Sequence, residues 1–163
     1  MKEKEKDYYP LIGQKFKELF ELKGCKVSLE LTADKKFSNK IKSKIPNHRQ
    51  IIFSFLRNVA PDITGFIEKD SLTDFVIMEI KKEQIKLDHI YQARKYAELF
   101  DAKFAFLVST KEIPEEIKRL SKVVHPLLHA QSIYQHRTLV HFDKETESLE
   151  DWYPENPFEK EYY

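Results

Sequence analysis

The stretch at positions 61–82, PDITGFIEKDSLTDFVIMEIKK, constrains the fold more than any other part of the chain. Two apolar runs, residues 63–67 and 75–80, flank the polar connection EKDSLT, which is the pattern of a β-hairpin. If the strands turn about Asp70 and Ser71, Asp62 stands directly across from Glu79, with Cβ atoms about 5 Å apart. Side chains alternate along a strand, so Lys81 points to the same side as Glu79. Three charges therefore converge where a buried hairpin would carry valine, and burying charge without partners is costly.

Periodicity supplies the elements around the hairpin. Residues 7–23 read as a first helix, with Leu11, Ile12, Phe16, Leu19 and Phe20 at helical spacing and Gly24 as its stop. Residues 26–31 alternate as a strand does, and residues 47–56 are ambiguous between helix and strand. A second helix spans Leu87–Phe100, and the continuous apolar run FAFLV after it suits a buried strand. Pro114 fits the first turn of a third helix ending near Pro126, and RTLVHF reads as a last strand. The order α, β, β, β, α, β, α, β predicts an α/β fold, a mixed central sheet flanked by helices. With 163 residues this is expected to be one domain, able to bury about 70% of the surface of its unfolded chain.

Composition excludes some classes of function. Charged residues make up 34% of the chain and leave no room for a membrane-spanning run. The start MKEKEKDYYP is followed by a broken apolar pattern, not by that of a signal peptide, so a cytoplasmic protein is expected. Cys25 is the single cysteine and is expected to fill a core position. Three glycines form no glycine-rich phosphate loop, which argues against ATP-driven chemistry. Net charge is only +1, but it is unevenly spread. Residues 35–57 hold seven Lys or Arg, among them Lys40, Lys42 and Lys44, and no acid, whereas residues 143–163 hold eight acids against Lys144 and Lys160. The basic run is a candidate for contact with a nucleic-acid backbone; a solvated lysine-rich loop is the other reading.

The chemistry of the converging charges narrows the choice further. Two carboxylates facing each other across a ladder destabilise it, so a positive charge is expected between them. Carboxylate and backbone carbonyl oxygens suit Mg²⁺ or Mn²⁺, with waters completing the shell. A neighbouring lysine can orient the attacking water and stabilise charge on a phosphate. A structural ion pair of Lys81 with Glu79 or Asp62 remains the alternative.

Taken together, Pro61-Asp62 and Glu79-Ile80-Lys81 resemble the motif of the PD-(D/E)XK nuclease superfamily, also called restriction-endonuclease-like. Gln92 and Tyr96, in IYQARKYAELF on the following helix, resemble the QxxxY motif of its RecB-like subgroup. Glu18, whose helical angle puts it at the edge of the apolar stripe next to Leu11 and Leu22, resembles the acidic residue of the family's first core helix. The resemblance runs from about residue 11 to 110 and implies a restriction-endonuclease-like αβββαβ core. It also implies an Mg²⁺- or Mn²⁺-dependent nuclease, with DNA as the expected substrate and RNA as the alternative. Asp62, Glu79 and the carbonyl of Ile80 would hold the metal, Lys81 would position and help deprotonate the water, and Glu18 would assist. Gln92, Tyr96, Lys40, Lys42 and Lys44 would hold the substrate. Two other readings share the fold: a non-catalytic module that binds nucleic acid or protein, and a junction-resolvase-like endonuclease working as a homodimer.

Other features carry less. His125 and His129 are spaced for one helix face but lack a third metal ligand nearby. Tyr8, Tyr9 and the aromatic residues of the C-terminal stretch EDWYPENPFEKEYY are expected to pack on their own domain or a partner subunit, with base stacking as the alternative.

Overall fold

The computed structural model describes residues 2–130, 132 and 134–160. A 3-10 turn (Glu5–Tyr8) leads into helix α1 (Tyr9–Leu22), which is followed by strand β1 (Lys26–Leu31). Two short helices, α2 (Asn39–Ser43) and α3 (Ile52–Phe55), bridge to strands β2 (Ile63–Lys69) and β3 (Leu72–Lys81). Helix α4 (Leu87–Phe100) connects to β4 (Phe104–Ser109), helix α5 (Glu115–Val123) to β5 (His136–Asp143), and β6 (Ser148–Tyr153) follows. Among the described residues the strands form one sheet in sequence order; β3, β4 and β5 run parallel, and the other neighbours are antiparallel. This is the expected α/β fold with a mixed sheet. No helix of the described residues is long and apolar enough to cross a membrane.

Helix α1 forms because Tyr9, Ile12, Phe16 and Phe20 fall on one stripe, and all four are buried. It ends at Gly24, whose φ of 83° suits a residue without a Cβ. The Gly24 N–H donates to the Glu21 carbonyl and the Cys25 N–H to the Phe20 carbonyl, the bond pair of a Schellman motif. Cys25 is buried beside this stripe, as expected of a core filler.

The hairpin adopts the register that the apolar pattern implied. Ile63 pairs with Met78 and Lys69 with Leu72, which leaves Asp70 and Ser71 as a two-residue turn. Both have positive φ, 50° and 69°, as the right-handed twist of the strands requires of so short a loop. Both strands therefore run through the polar connection, farther than their apolar runs suggested.

Alternation then sorts the core into layers. Val76, Met78 and Ile80 pack with Ile12, Phe16 and Phe20 on the α1 face, joined by Phe104, Phe106 and Phe142. Phe75 and Ile77 pack on the other face with Tyr96, Ala97 and Phe100 of α4 and with Ile41, Ile45, Ile52 and Leu56 of the α2–α3 segment. Strand β6 departs from the irregular tail expected there. Trp152 and Phe158 seal the α1 face against Phe16 and Phe106, with ring centroids 5.7–6.3 Å apart. Tyr8 likewise meets Phe142 edge-on. These aromatics pack on their own domain; Tyr162 and Tyr163 lie outside the described residues.

Candidate active site

The site lies at the open end of the hairpin, where β2 and β3 part. Continuing the register from Ile63 and Met78 sets Asp62 across from Glu79 and Pro61 across from Ile80. Instead of pairing backbone to backbone there, the strands exchange bonds through side chains. The Asp62 N–H donates to Glu79 Oε1 at 3.1 Å, and the Ile80 N–H donates to Asp62 Oδ2 at 2.8 Å. Each carboxylate is thus fixed by the other strand's backbone. Asp62 is 8% exposed and Glu79 is 2% exposed.

Lys81 extends toward the same point, with Nζ 3.7 Å from Glu79 Oε2. That is an ion pair too long for a hydrogen bond, so the ammonium is near the carboxylate without being locked to it. The backbone adds an acceptor. Thr110 N–H donates to the Lys81 carbonyl, so at this end of β3 Lys81 turns its backbone groups toward β4 and Ile80 turns its own toward β2. The Ile80 carbonyl is therefore on the β2 side, where the chain carries Pro61, a residue without an N–H.

Electrostatically the pair is short of positive charge. Burial, and then the neighbouring Asp62 charge, push the Glu79 carboxyl up to about 8, although Lys81 opposes the rise. Burial also raises Asp62, against the Ile80 N–H, a hydrogen bond from Tyr9 and the Lys81 charge. Burial and mutual repulsion thus push both acids toward their protonated forms. An added cation would let both ionise.

Two tyrosines flank the pair from opposite layers. Tyr96 of α4 is fully buried, and Gln92 Nε2 donates to its hydroxyl at 3.3 Å. Its hydroxyl titrates above the usual tyrosine range because of burial, with Glu79 and Asp62 adding to the rise. Gln92 and Tyr96 thus come together beside the carboxylates. The Tyr9 hydroxyl of α1 comes up to Asp62 from the other layer and sits between it and Glu5, whose Oε1 accepts at 3.1 Å. Burial and the charge of Asp62 push its hydroxyl above the usual tyrosine range too.

Glu18 stands apart. It is exposed and accepts a bond from Gln14 Nε2 at 3.3 Å. Its expected position at the edge of the apolar stripe assumed that Leu22 belongs to that stripe, but Leu22 is 83% exposed. Glu18 also lies nine residues beyond Tyr9, about 13 Å along the helix axis. The acid near the site from this part of the chain is Glu5, half-buried in the 3-10 turn, which accepts from the Tyr9 hydroxyl and, at 3.4 Å, from the Lys82 N–H. Its charge acts on both Asp62 and Glu79. The signal was present in the sequence: Glu5 is four residues before Tyr9 and continues the stripe Tyr9, Ile12, Phe16, Phe20.

The lysines of the basic run do not act as one group. Lys40 of α2 and Lys44, which caps its C-terminal end, lie over the Phe66 ring at 5.9 and 5.3 Å, and Lys44 pairs with Glu68 at 3.5 Å, toward the turn end of the hairpin. Lys42 points elsewhere, over Phe53 at 5.6 Å. The His125 and His129 rings are 6.1 Å apart, and no group of three or more His, Cys, Asp or Glu suited to a metal is found among the described residues.

Among known proteins, no family model, no curated protein and no solved structure matches this chain. A reading of its function therefore rests on the chemistry of the site itself.

Proposed function

We propose that the protein is a metal-dependent nuclease of the PD-(D/E)XK type, built on a restriction-endonuclease-like core and hydrolysing phosphodiesters of DNA. The observation that carries this reading is the cross-bonded pair of buried carboxylates, Asp62 and Glu79, with the Lys81 ammonium 3.7 Å from one of them. The donor set fits Mg²⁺ or Mn²⁺. It consists of hard oxygens: one oxygen of each carboxylate beyond those that the backbone N–H groups engage, and the Ile80 carbonyl on the β2 side. Such ions keep several waters and need only one or two protein carboxylates. When bound, the cation supplies Lewis-acid polarisation of the phosphoryl oxygen and relieves charge on the leaving oxygen.

The chain's own groups do the rest. Asp62 and Glu79 hold their geometry because each is bonded to the opposite strand, so little reorganisation is needed as charge develops. Tyr9 steadies Asp62 from behind. Lys81 donates hydrogen bonds to the attacking water and to a phosphoryl oxygen, orienting the first and neutralising the second. Half-buried Gln92 is the member of this pair that a strand could meet, and the buried Tyr96 holds it through its hydroxyl.

The direct test is incubation of labelled single-stranded, duplex and branched DNA with the purified protein in Mg²⁺ or Mn²⁺, alongside Asp62→Asn. Cation-dependent cleavage that this substitution abolishes is the expected result. A parent protein that cleaves none of the three in either metal overturns the assignment.

A further inference from the structure

A groove of about 470 Å³ opens on the surface between the loop after β1 and the α2–α3 segment, lined in part by Lys35, Lys36, Phe37, Lys42, Phe53 and Arg57. No carboxylate lines it. The nearest acid in sequence, Asp34, turns its carboxylate back to accept the Lys36 N–H at 3.0 Å. Phe37 and Phe53 meet at 5.3 Å and each packs on Phe100, so they form a fixed apolar floor under the cations. The four cationic side chains lie around a rigid base, and a flexible loop does not carry them all.

The groove is tied to the carboxylate site by two backbone bonds and one short run of chain. Thr32 N–H donates to the Asp62 carbonyl at 2.9 Å, and Lys35 N–H donates to the Thr32 carbonyl at 2.8 Å. Thr32 Oγ1 adds a bond to the Pro61 carbonyl at 2.7 Å. Arg57 precedes Asp62 by five residues, a span of at most about 17 Å. Strand phosphates in B-DNA rise about 3.4 Å per nucleotide. At Arg57 the groove thus lies within about five nucleotides of the carboxylates.

We propose that this groove is a second binding site for the nucleic-acid strand, holding phosphates on one side of the scissile one. The inference rests on the nuclease reading for its orientation, and charge complementarity carries it: four cations and no acid against a polyanion. It divides the basic run in a way the sequence did not. Lys35, Lys36, Lys42 and Arg57 contact phosphate, whereas Lys40 and Lys44, turned toward Phe66 and Glu68, do not.

The test is anisotropy of a labelled 20-nucleotide strand and its duplex at several salt concentrations in EDTA, where no cleavage occurs. Parent is compared with a Lys35→Ala/Lys36→Ala/Arg57→Ala triple variant and a Lys40→Ala/Lys44→Ala double variant. All five residues are exposed, and thermal melts check that each variant is folded. The triple variant should bind at least 10-fold more weakly. Its slope of log K against log salt should flatten by about 2 to 3, at roughly 0.9 per lost duplex contact and 0.7 per single-strand contact. The double variant should stay within about 2-fold of parent. An unchanged slope in the triple variant, or an equal loss in the double variant, overturns the groove.

Hydrolysis of bis-(p-nitrophenyl) phosphate in Mn²⁺, a substrate too short to reach the groove, separates binding from chemistry. Equal turnover by parent and triple variant supports two separate sites, whereas an equal loss on this substrate and on DNA overturns the division. Groove-dependent binding by a parent that hydrolyses neither substrate keeps the groove and removes the nuclease reading.

Discussion

The two ends of the β2–β3 hairpin both carry charge and treat it in opposite ways. At the turn end, Glu68 faces Lys44 at 3.5 Å with about a third of each side chain exposed, Asp74 faces Lys103 at 3.7 Å, and Lys69 Nζ donates to the Lys23 carbonyl. Solvent shares that load, and such pairs contribute at most about 1 kcal/mol. At the open end Asp62 and Glu79 are buried, bonded across the strands, and pushed toward their protonated forms. One ladder thus holds structural charges at one end and costly ones at the other. Burial, more than charge itself, marks the end suited to chemistry.

The largest expected effect separates the two ends by activity. Lys81→Ala should lower cleavage on the order of 10²–10³-fold, the usual loss when a charge-stabilising donor is removed. Lys44→Ala at the turn end should leave cleavage of a short substrate within about 2-fold. Steady-state rates on one labelled oligonucleotide decide it; equal losses at both ends would break the comparison.

Stability against pH sharpens it. The folded Glu79 pKa, about 8, lies above its ordinary 4.5, so between these values the native state binds more protons than the unfolded one. Its contribution is fully present below about pH 4.5 and is lost as pH rises through about 8. Glu79→Gln, neutral throughout, should therefore flatten the fall in stability and gain on the order of 1–3 kcal/mol at pH 9. Glu68→Gln should change it by less than about 0.5 kcal/mol. Urea unfolding at pH 5, 7 and 9 measures both. A smaller effect is expected at Tyr96→Phe, which removes the hydroxyl that accepts from Gln92 and should cost about 1 kcal/mol of stability.

Much of this was legible in the sequence because a strand has a period of two. Once the turn is set at Asp70-Ser71, the register sets Asp62 across from Glu79, and the structure adopts that register. Helix α4 was equally legible, since Ile90, Ala93, Ala97 and Phe100 recur at helical spacing and are all buried. Helix faces without such marks were not. At Glu18 the stripe was drawn too wide by including Leu22, and the acid nearer the site, Glu5, sits in a 3-10 turn just outside the helical pattern. Lys40, Lys42 and Lys44 look alike as a charge run, and only the five-residue helix α2 turns two of them one way and the third another. Strand β6 was hidden because its sequence, SLEDWY, exposes Glu150 and Asp151 and lacks a continuous apolar face.

Calorimetric titration of Mn²⁺ into the protein at pH 7, in two buffers of different ionisation enthalpy, tests the central claim most directly. Glu79 is largely protonated at that pH, and a cation held between the two carboxylates must displace that proton. The expected result is binding with about one proton released per bound ion, and loss of that binding in both Asp62→Asn and Glu79→Gln. Binding of Mn²⁺ with no proton released, or with the same affinity in either variant, would contradict it.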